Sequence, residues 1–110
     1  MITIDYRFEE ETHELSIRGH AGYSHYGNDI VCAGVSAIGY TLLGMLENNS
    51  DHIDRLDTIE NVGDMSIFCE GDEKIATAFE MAIIGLEQIA NQYPNNITLN
   101  YTAIGGDSRE

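Results

Sequence analysis

The sequence predicts an α/β (α+β) two-layer sandwich in which a mixed sheet packs against two helices, in the element order ββαββαβ. Apolar residues alternate with polar ones in five short segments, which is typical of half-buried strands. They recur at steps of four and three in two longer segments, which is typical of amphipathic helices. The 110 residues are enough for one hydrophobic core and too few for two. We therefore expect one domain over residues 1–104 and a frayed tail over residues 105–110.

The first two strands are predicted to form a hairpin. The first strand alternates through Ile2, Ile4, Tyr6 and Phe8. The polar residues 9–13 then form a solvated turn, and Leu15 and Ile17 continue the alternation towards Gly19. This pattern places His20 at the end of the second strand, from where a side chain can be aimed into a cleft.

The first helix is predicted to begin after Asp29, whose carboxylate can accept from the N–H groups of the first turn, and to run to about Asn48. Its apolar face consists of Val31, Val35, Ile38, Leu42 and Met45. Its other sides are also uncharged over residues 30–46, so the helix needs a second helix or another subunit beside the sheet. From this we predict a homodimer. The apolar stretch is shorter than the roughly 20 residues of a membrane span, so we predict a buried helix and no membrane.

The second half of the chain repeats the pattern. Two strands are predicted at about residues 53–60 and 65–70, joined by a turn at 61–64. Asp72 is a candidate cap for the second helix, and Pro94 ends that helix. Its face consists of Ile75, Phe79, Ala82, Leu86, Ile89 and Tyr93. Residues 97–103 form the last strand.

Composition excludes some classes of function. Nineteen acidic and five basic side chains give a formal charge of −14, the opposite of a nucleic-acid binder. Such a chain attracts a cationic partner, for example a basic protein. The first residues pass straight into strand alternation without a secretory signal, so we expect a cytoplasmic protein. In that compartment the two cysteines are expected to be free thiols.

A histidine and a cysteine flank the glycine-bearing loop of residues 21–28, and they are the candidate catalytic pair. Cys32 lies in the first turn of the predicted helix, where backbone N–H groups and the helix dipole favour the thiolate. His20, at a strand end, can take the thiol proton and return it to a leaving amine. The loop, with Gly22 and Gly27 inside it, is expected to be mobile and to move when a substrate arrives.

Other residues near the pair are candidates for supporting roles. Ser36 lies one turn after Cys32 and can donate a hydrogen bond into the site, or simply allow close packing. Asp29 can orient His20 as a third catalytic member, but the helix cap needs the same carboxylate. His25 is a rival base in the loop. The N–H groups of Cys32 and its neighbours are candidates for an oxyanion hole.

Other chemistries are less well supported. His20, His25, Asp29 and Cys32 are suitable metal ligands, but their spacing matches no zinc pattern, and we predict no metal or other cofactor. The loop has no Lys or Arg for a phosphate. Cys69 alternates with core residues and is predicted to be a buried apolar residue.

At the candidate site the sequence resembles the Prp-type ribosomal-processing cysteine proteases of bacteria. The resemblance rests on Gly19-His20-Ala21, Gly27-Asn28-Asp29, the run Asp29-Ile30-Val31-Cys32-Ala33-Gly34-Val35-Ser36-Ala37, Gly85-Leu86 and Tyr93-Pro94. The order of elements fits the family from end to end.

The resemblance implies an endopeptidase that removes a short N-terminal extension from large-subunit ribosomal protein twenty-seven. His20 would be the general base and Cys32 the nucleophile. The family is commonly dimeric and has a flexible loop over the site, which here would include Ala21, Gly22, Tyr23 and Gly27. Two other classes remain open: a non-catalytic module that binds a ribosomal protein or assembly factor, and a thiol-based metal or redox protein.

Overall fold

The fold was analysed in a computed structural model that describes residues 1–25 and 29–104. The predicted tail over residues 105–110 and Gly27 of the predicted substrate loop lie outside the described residues. The element order ββαββαβ confirms the prediction.

Five strands form one mixed sheet. They are β1 (Ile2–Glu9), β2 (Thr12–Gly19), β3 (Ile53–Asn61), β4 (Asp64–Gly71) and β5 (Ile97–Ala103). Their order across the sheet is β3-β4-β2-β1-β5. β1 pairs with β2 as the predicted antiparallel hairpin and with β5 in parallel. β4 lies antiparallel to both β2 and β3.

Two helices cover the sheet: α1 (Ile30–Glu47) and α2 (Glu73–Gln92). α1 is followed by a short 3-10 turn at Ser50–His52, which was not predicted. Both N-caps are the predicted residues, since the side chains of Asp29 and Asp72 accept from N–H groups of the first turns. α2 ends at Gln92, two residues before Pro94, because proline disfavours a helical conformation in the residue before it.

One face of the sheet is buried and carries the core. In β2 and β4 every second residue is buried, including Leu15, Ile67 and Cys69, as the alternation predicted. Burying a side chain the size of leucine or phenylalanine stabilises the fold by about 1.5–3 kcal/mol relative to leaving it in water. Because only one face is buried, both helices pack on the same side and the sandwich has two layers.

The helices approach each other and the sheet at glycines. A Cβ on Gly34 of α1 would lie 3.3 Å from Ile89, and one on Gly85 of α2 would lie 3.0 Å from Ile38. A Cβ on Gly39 would lie 2.7 Å from the sulfur of Met65 in β4. α1 is long and apolar enough to cross a membrane by length and composition alone. In this fold α1 packs beside α2 on one face of the sheet, and 33% of its residues are buried.

A buried histidine lies in an aromatic stack near the start of β2. His13 is 5% exposed, and its ring stacks on Phe79 with 4.8 Å between the ring centroids. Its Nδ1 lies 2.8 Å from the hydroxyl of Tyr6, while its Nε2 is buried with no hydrogen-bond partner among the described residues. Burial lowers the pKa of His13, because a charged imidazolium is costly away from water.

This histidine predicts a loss of stability in mild acid. The folded state favours the neutral ring, so its contribution is complete above the ordinary histidine pKa of about 6.5 and is lost as the pH falls below that value. We expect the free energy of unfolding, measured in urea, to fall between pH 7.5 and pH 5.5. His13→Phe keeps the aromatic stack and should flatten this part of the pH profile. An equally steep profile in this variant would assign the effect to other groups.

Candidate functional site

The predicted histidine and cysteine line one cleft. Its volume is about 420 Å³, and its walls come from the end of β2, the first half of α1 and the turn between β3 and β4. Cys32 is half-buried, and His20 is exposed. Ser36, one turn after Cys32, also lines the cleft, so the structure brings together three of the predicted site residues.

The thiol of Cys32 accepts a hydrogen bond from a backbone N–H of the segment that follows β2. The N–H of Ala21 lies 3.2 Å from the Sγ of Cys32. Because a hydrogen bond to a charged acceptor is stronger than one to a neutral acceptor, this N–H is a suitable partner for a thiolate. Ala21, predicted only as part of the substrate loop, therefore lies directly against the thiol of Cys32.

Asp29 uses both of its carboxylate oxygens on backbone N–H groups. One oxygen accepts from Val31 and Cys32 at 3.0 Å each. The other accepts from Tyr23 at 2.9 Å and Ser24 at 3.3 Å. Burial opposes ionisation of this carboxyl, but the N–H groups outweigh burial and hold the pKa of Asp29 below its ordinary value.

These contacts favour the cap role of Asp29 over the alternative role as a third catalytic member. They also engage the N–H of Cys32, which was the expected oxyanion-hole donor, since the N-cap satisfies the free donors of the first turn. If Asp29 also oriented His20, its carboxylate would have to accept from His20 in addition to these four N–H groups.

The described part of the predicted loop makes defined contacts. The methyl of Ala21 is buried, and the ring of Tyr23 meets the edge of Tyr93 with 5.3 Å between the centroids. Gly22 has a φ of +70°, which a glycine adopts without strain. The rival base His25 is exposed and is not among the residues that line the described cleft. Loop movement on substrate binding stays a prediction.

Within residues 1–25 and 29–104, no three or more histidine, cysteine or acidic side chains are grouped to hold a metal ion. The set of His20, His25, Asp29 and Cys32 considered from the sequence is thus not assembled as a ligand group. Cys69 lies in the core, as predicted. Burial, with the nearby acidic side chains Glu70 and Asp54, raises the pKa of the Cys69 thiol to about 11, so this thiol is protonated at neutral pH.

Sequence patterns did not point to the turn between β3 and β4 as part of the site. Glu60, Asn61, Val62, Gly63 and Asp64 line the cleft opposite Cys32. The carbonyl of Gly63 accepts from the N–H of Gly19 at 2.8 Å. A Cβ on Gly63 would lie 3.2 Å from the Nε2 of His20. The glycine thus leaves room for the imidazole.

A half-buried thiol with a backbone donor, in one cleft with an imidazole, is the arrangement expected of a cysteine-dependent hydrolase on an α+β sandwich. The sequence model of the family described as cysteine protease Prp matches residues 1–98. The chain belongs to this family of cysteine proteases.

Named relatives and a solved structure agree with this assignment. The chain is 31% identical to the ribosomal processing cysteine protease Prp of Staphylococcus aureus, over 92% of this chain and 99% of that protein. It is 34% identical to the Mycoplasma genitalium protein of the same name, over 78% and 85%. The crystal structure of the S. aureus protease with a covalently linked product peptide superposes with a TM-score of 0.83 at 28% identity, over 93% of this chain and all of that one. The predicted fold and the predicted family are confirmed.

Gly63 provides a test of the cleft geometry. Its φ is +72°, where a side chain is strained by about 1–2 kcal/mol, and its missing Cβ faces His20. We expect Gly63→Ala to shift the ring signals of His20 in carbon-labelled histidine NMR and to lower kcat/KM by roughly tenfold or more.

The ring signals of His13 and His52 serve as internal references, because neither residue lines the cleft. Unchanged His20 signals in a folded Gly63→Ala protein would show that the imidazole does not depend on this glycine.

Proposed function

We propose that this protease removes the N-terminal extension of large-subunit ribosomal protein twenty-seven. The observation that carries the proposal is the pair His20 and Cys32 in one cleft, in a chain that belongs to a family whose named members are ribosomal processing cysteine proteases. The solved relative with its covalently linked product peptide supports a peptide substrate.

The chemistry follows from the two side chains. His20 takes the proton of the Cys32 thiol, and the thiolate attacks the carbonyl carbon of the scissile peptide bond. The carbon–nitrogen bond then breaks, and His20 gives its proton to the leaving amine. Water hydrolyses the thioester with His20 as base, which releases the extension and returns a proton to the sulfur.

The charge of the cleft supports a basic substrate. Glu60 and Asp64 contribute carboxylates to its wall, and the lining residues include neither lysine nor arginine in the described part of the chain. The whole chain carries a formal charge of −14. A cationic ribosomal protein is therefore attracted over a long range, and this attraction weakens as salt is added.

We expect the wild-type chain to cut a peptide that spans the junction of the extension, with products read by mass. Cys32→Ala and His20→Ala should each lower kcat by at least about a thousandfold, because nucleophile and base act as one unit. Cys69→Ala is the matched cysteine control and should retain activity, since that thiol is buried in the core.

Two outcomes would contradict the proposal. One is that the folded wild-type chain binds the peptide without cutting it, which would support the alternative of a non-catalytic binding module. The other is that Cys32→Ala still cuts, which would place the nucleophile elsewhere.

The proposal includes a homodimer formed through the outer face of the helical layer. Outside the cleft, the exposed positions of α1 between Ile30 and Thr41 are uncharged, and α2 exposes Met81 (76%) and Ile84 (48%). An apolar patch of this kind on a highly charged protein is a candidate interface, and we assign a second copy of the chain as its partner.

Sedimentation velocity tests the dimer. Ile84→Lys should weaken self-association at least about tenfold, because it places an unpaired charge in an apolar interface. Ile59→Lys is the control, since Ile59 is an exposed apolar residue on the edge strand β3. A monomeric wild type, or equal effects of the two variants, would contradict this interface.

A cytoplasmic location is part of the same proposal. Both described cysteines are free thiols, which suits a reducing compartment, and the proposed substrate is made there.

A further inference from the structure

Ala21 is bound at both of its backbone ends. Its N–H donates to the Sγ of Cys32 at 3.2 Å. Its carbonyl accepts from the side-chain Nδ2 of Asn96 at 2.9 Å. The nucleophile and Asn96, 75 positions from Ala21 in the sequence, therefore hold the same residue from two sides.

Asn96 is itself held firmly. Its N–H donates to the carbonyl of Tyr93 at 2.9 Å, and its carbonyl accepts from the N–H of Ile2 at 2.8 Å. It lies one residue before β5, which pairs with β1 along its whole length. The sheet thus fixes the position of the Asn96 side-chain amide. Groups held by strands are placed more precisely than groups held by loops.

The peptide group that carries the Ala21 N–H is also held at its other end, because the carbonyl of His20 accepts from the amino terminus of Met1. On the other side of Ala21 the backbone is less restrained. Gly22 follows Ala21 with a φ of +70°, and a Cβ there would meet nothing within 4 Å. The next backbone bonds are those of Tyr23 and Ser24 to Asp29. The Asn96 bond and the buried methyl of Ala21 therefore fix the side of Ala21 that faces Gly22, as the Met1 bond fixes the side that faces His20.

We propose that Asn96 is a positioning residue for the catalytic thiol: it binds the Ala21 carbonyl and so keeps the Ala21 N–H aimed at Cys32. It touches neither the thiol nor the substrate, and it acts through Ala21. The bond is half-buried, where competition from water is reduced. Removing the amide donor lets Ala21 turn, which weakens the hydrogen bond that favours the thiolate.

The test compares Asn96→Ala and Asn96→Asp with Asn95→Ala and Asn95→Asp. Asn95 is the exposed neighbour and serves as the matched control. The main measurement is the rate of Cys32 alkylation by iodoacetamide as a function of pH, read by peptide mass. It needs no substrate, so it stays informative even if the proposed ribosomal-protein substrate, on which the kinetic arm rests, is wrong.

Both Asn96 variants should move the pH midpoint of Cys32 alkylation upward by about half a unit to one unit. They should also lower kcat/KM about two- to tenfold. Both effects have the size expected for the loss of one hydrogen bond. The neutral Asn96→Ala excludes an effect of added charge, and the near-isosteric Asn96→Asp excludes an effect of lost volume. The Asn95 variants should match the wild type in both measurements.

Alkylation of Cys69 shows whether a variant has unfolded. This residue is fully buried, so its alkylation marks unfolding and not a change at the site. A wild-type pH midpoint for Cys32 in both Asn96 variants, with Cys69 protected, would overturn the proposal. A shift of the same size in the Asn95 variants would overturn it as well.

Discussion

The site depends on the carboxylate of Asp29, which joins the start of α1 to the loop that approaches it. One oxygen binds the N–H groups of Val31 and Cys32, and the other binds those of Tyr23 and Ser24. A buried carboxylate is costly unless such donors surround it. Because the four donors come from both segments, neither can move away without leaving part of this charge unsatisfied. The first turn of α1, and the sulfur on it, are therefore held in register with the loop.

This arrangement changes how the thiolate is stabilised. From the sequence, the helix dipole favours the anion and the Asp29 charge opposes it. In the structure the first-turn N–H groups of Val31 and Cys32 are directed at Asp29, so they compensate that charge and are not offered to the sulfur. The donor that reaches the sulfur comes instead from Ala21, just after β2. The environment of the Cys32 sulfur is thus built from two segments of the chain, the first turn of α1 and the residue Ala21 after β2.

Much of this fold could be predicted from local patterns, because each element has its own period. Leu15 and Ile67 lie on the buried face where alternation placed them, and Asp29 and Asp72 are caps. The pair His20 and Cys32 could be found because a strand end and a helix start lie at the two ends of one loop. Asn96 and Gly63 could not be found in this way. Their roles arise from contacts between residues far apart in sequence, and nothing local to either residue signals them.

The role of the turn between β3 and β4 follows from sheet topology. β4 pairs with β2 so that Arg18 lies opposite Asp64, and the bond from Gly19 to Gly63 continues this pairing by one residue. Because of this pairing, the end of β2 lies beside the turn that precedes β4, and His20 follows directly after that end. Residues of this turn can vary the shape and charge of the cleft wall while β2 and α1 continue to present His20 and Cys32. Loops placed on a rigid sheet in this way commonly set specificity. In this protease the proposed catalytic pair and the residues that shape the cleft opposite it thus come from different parts of the chain, and the pairing of β2 with β4 brings them together.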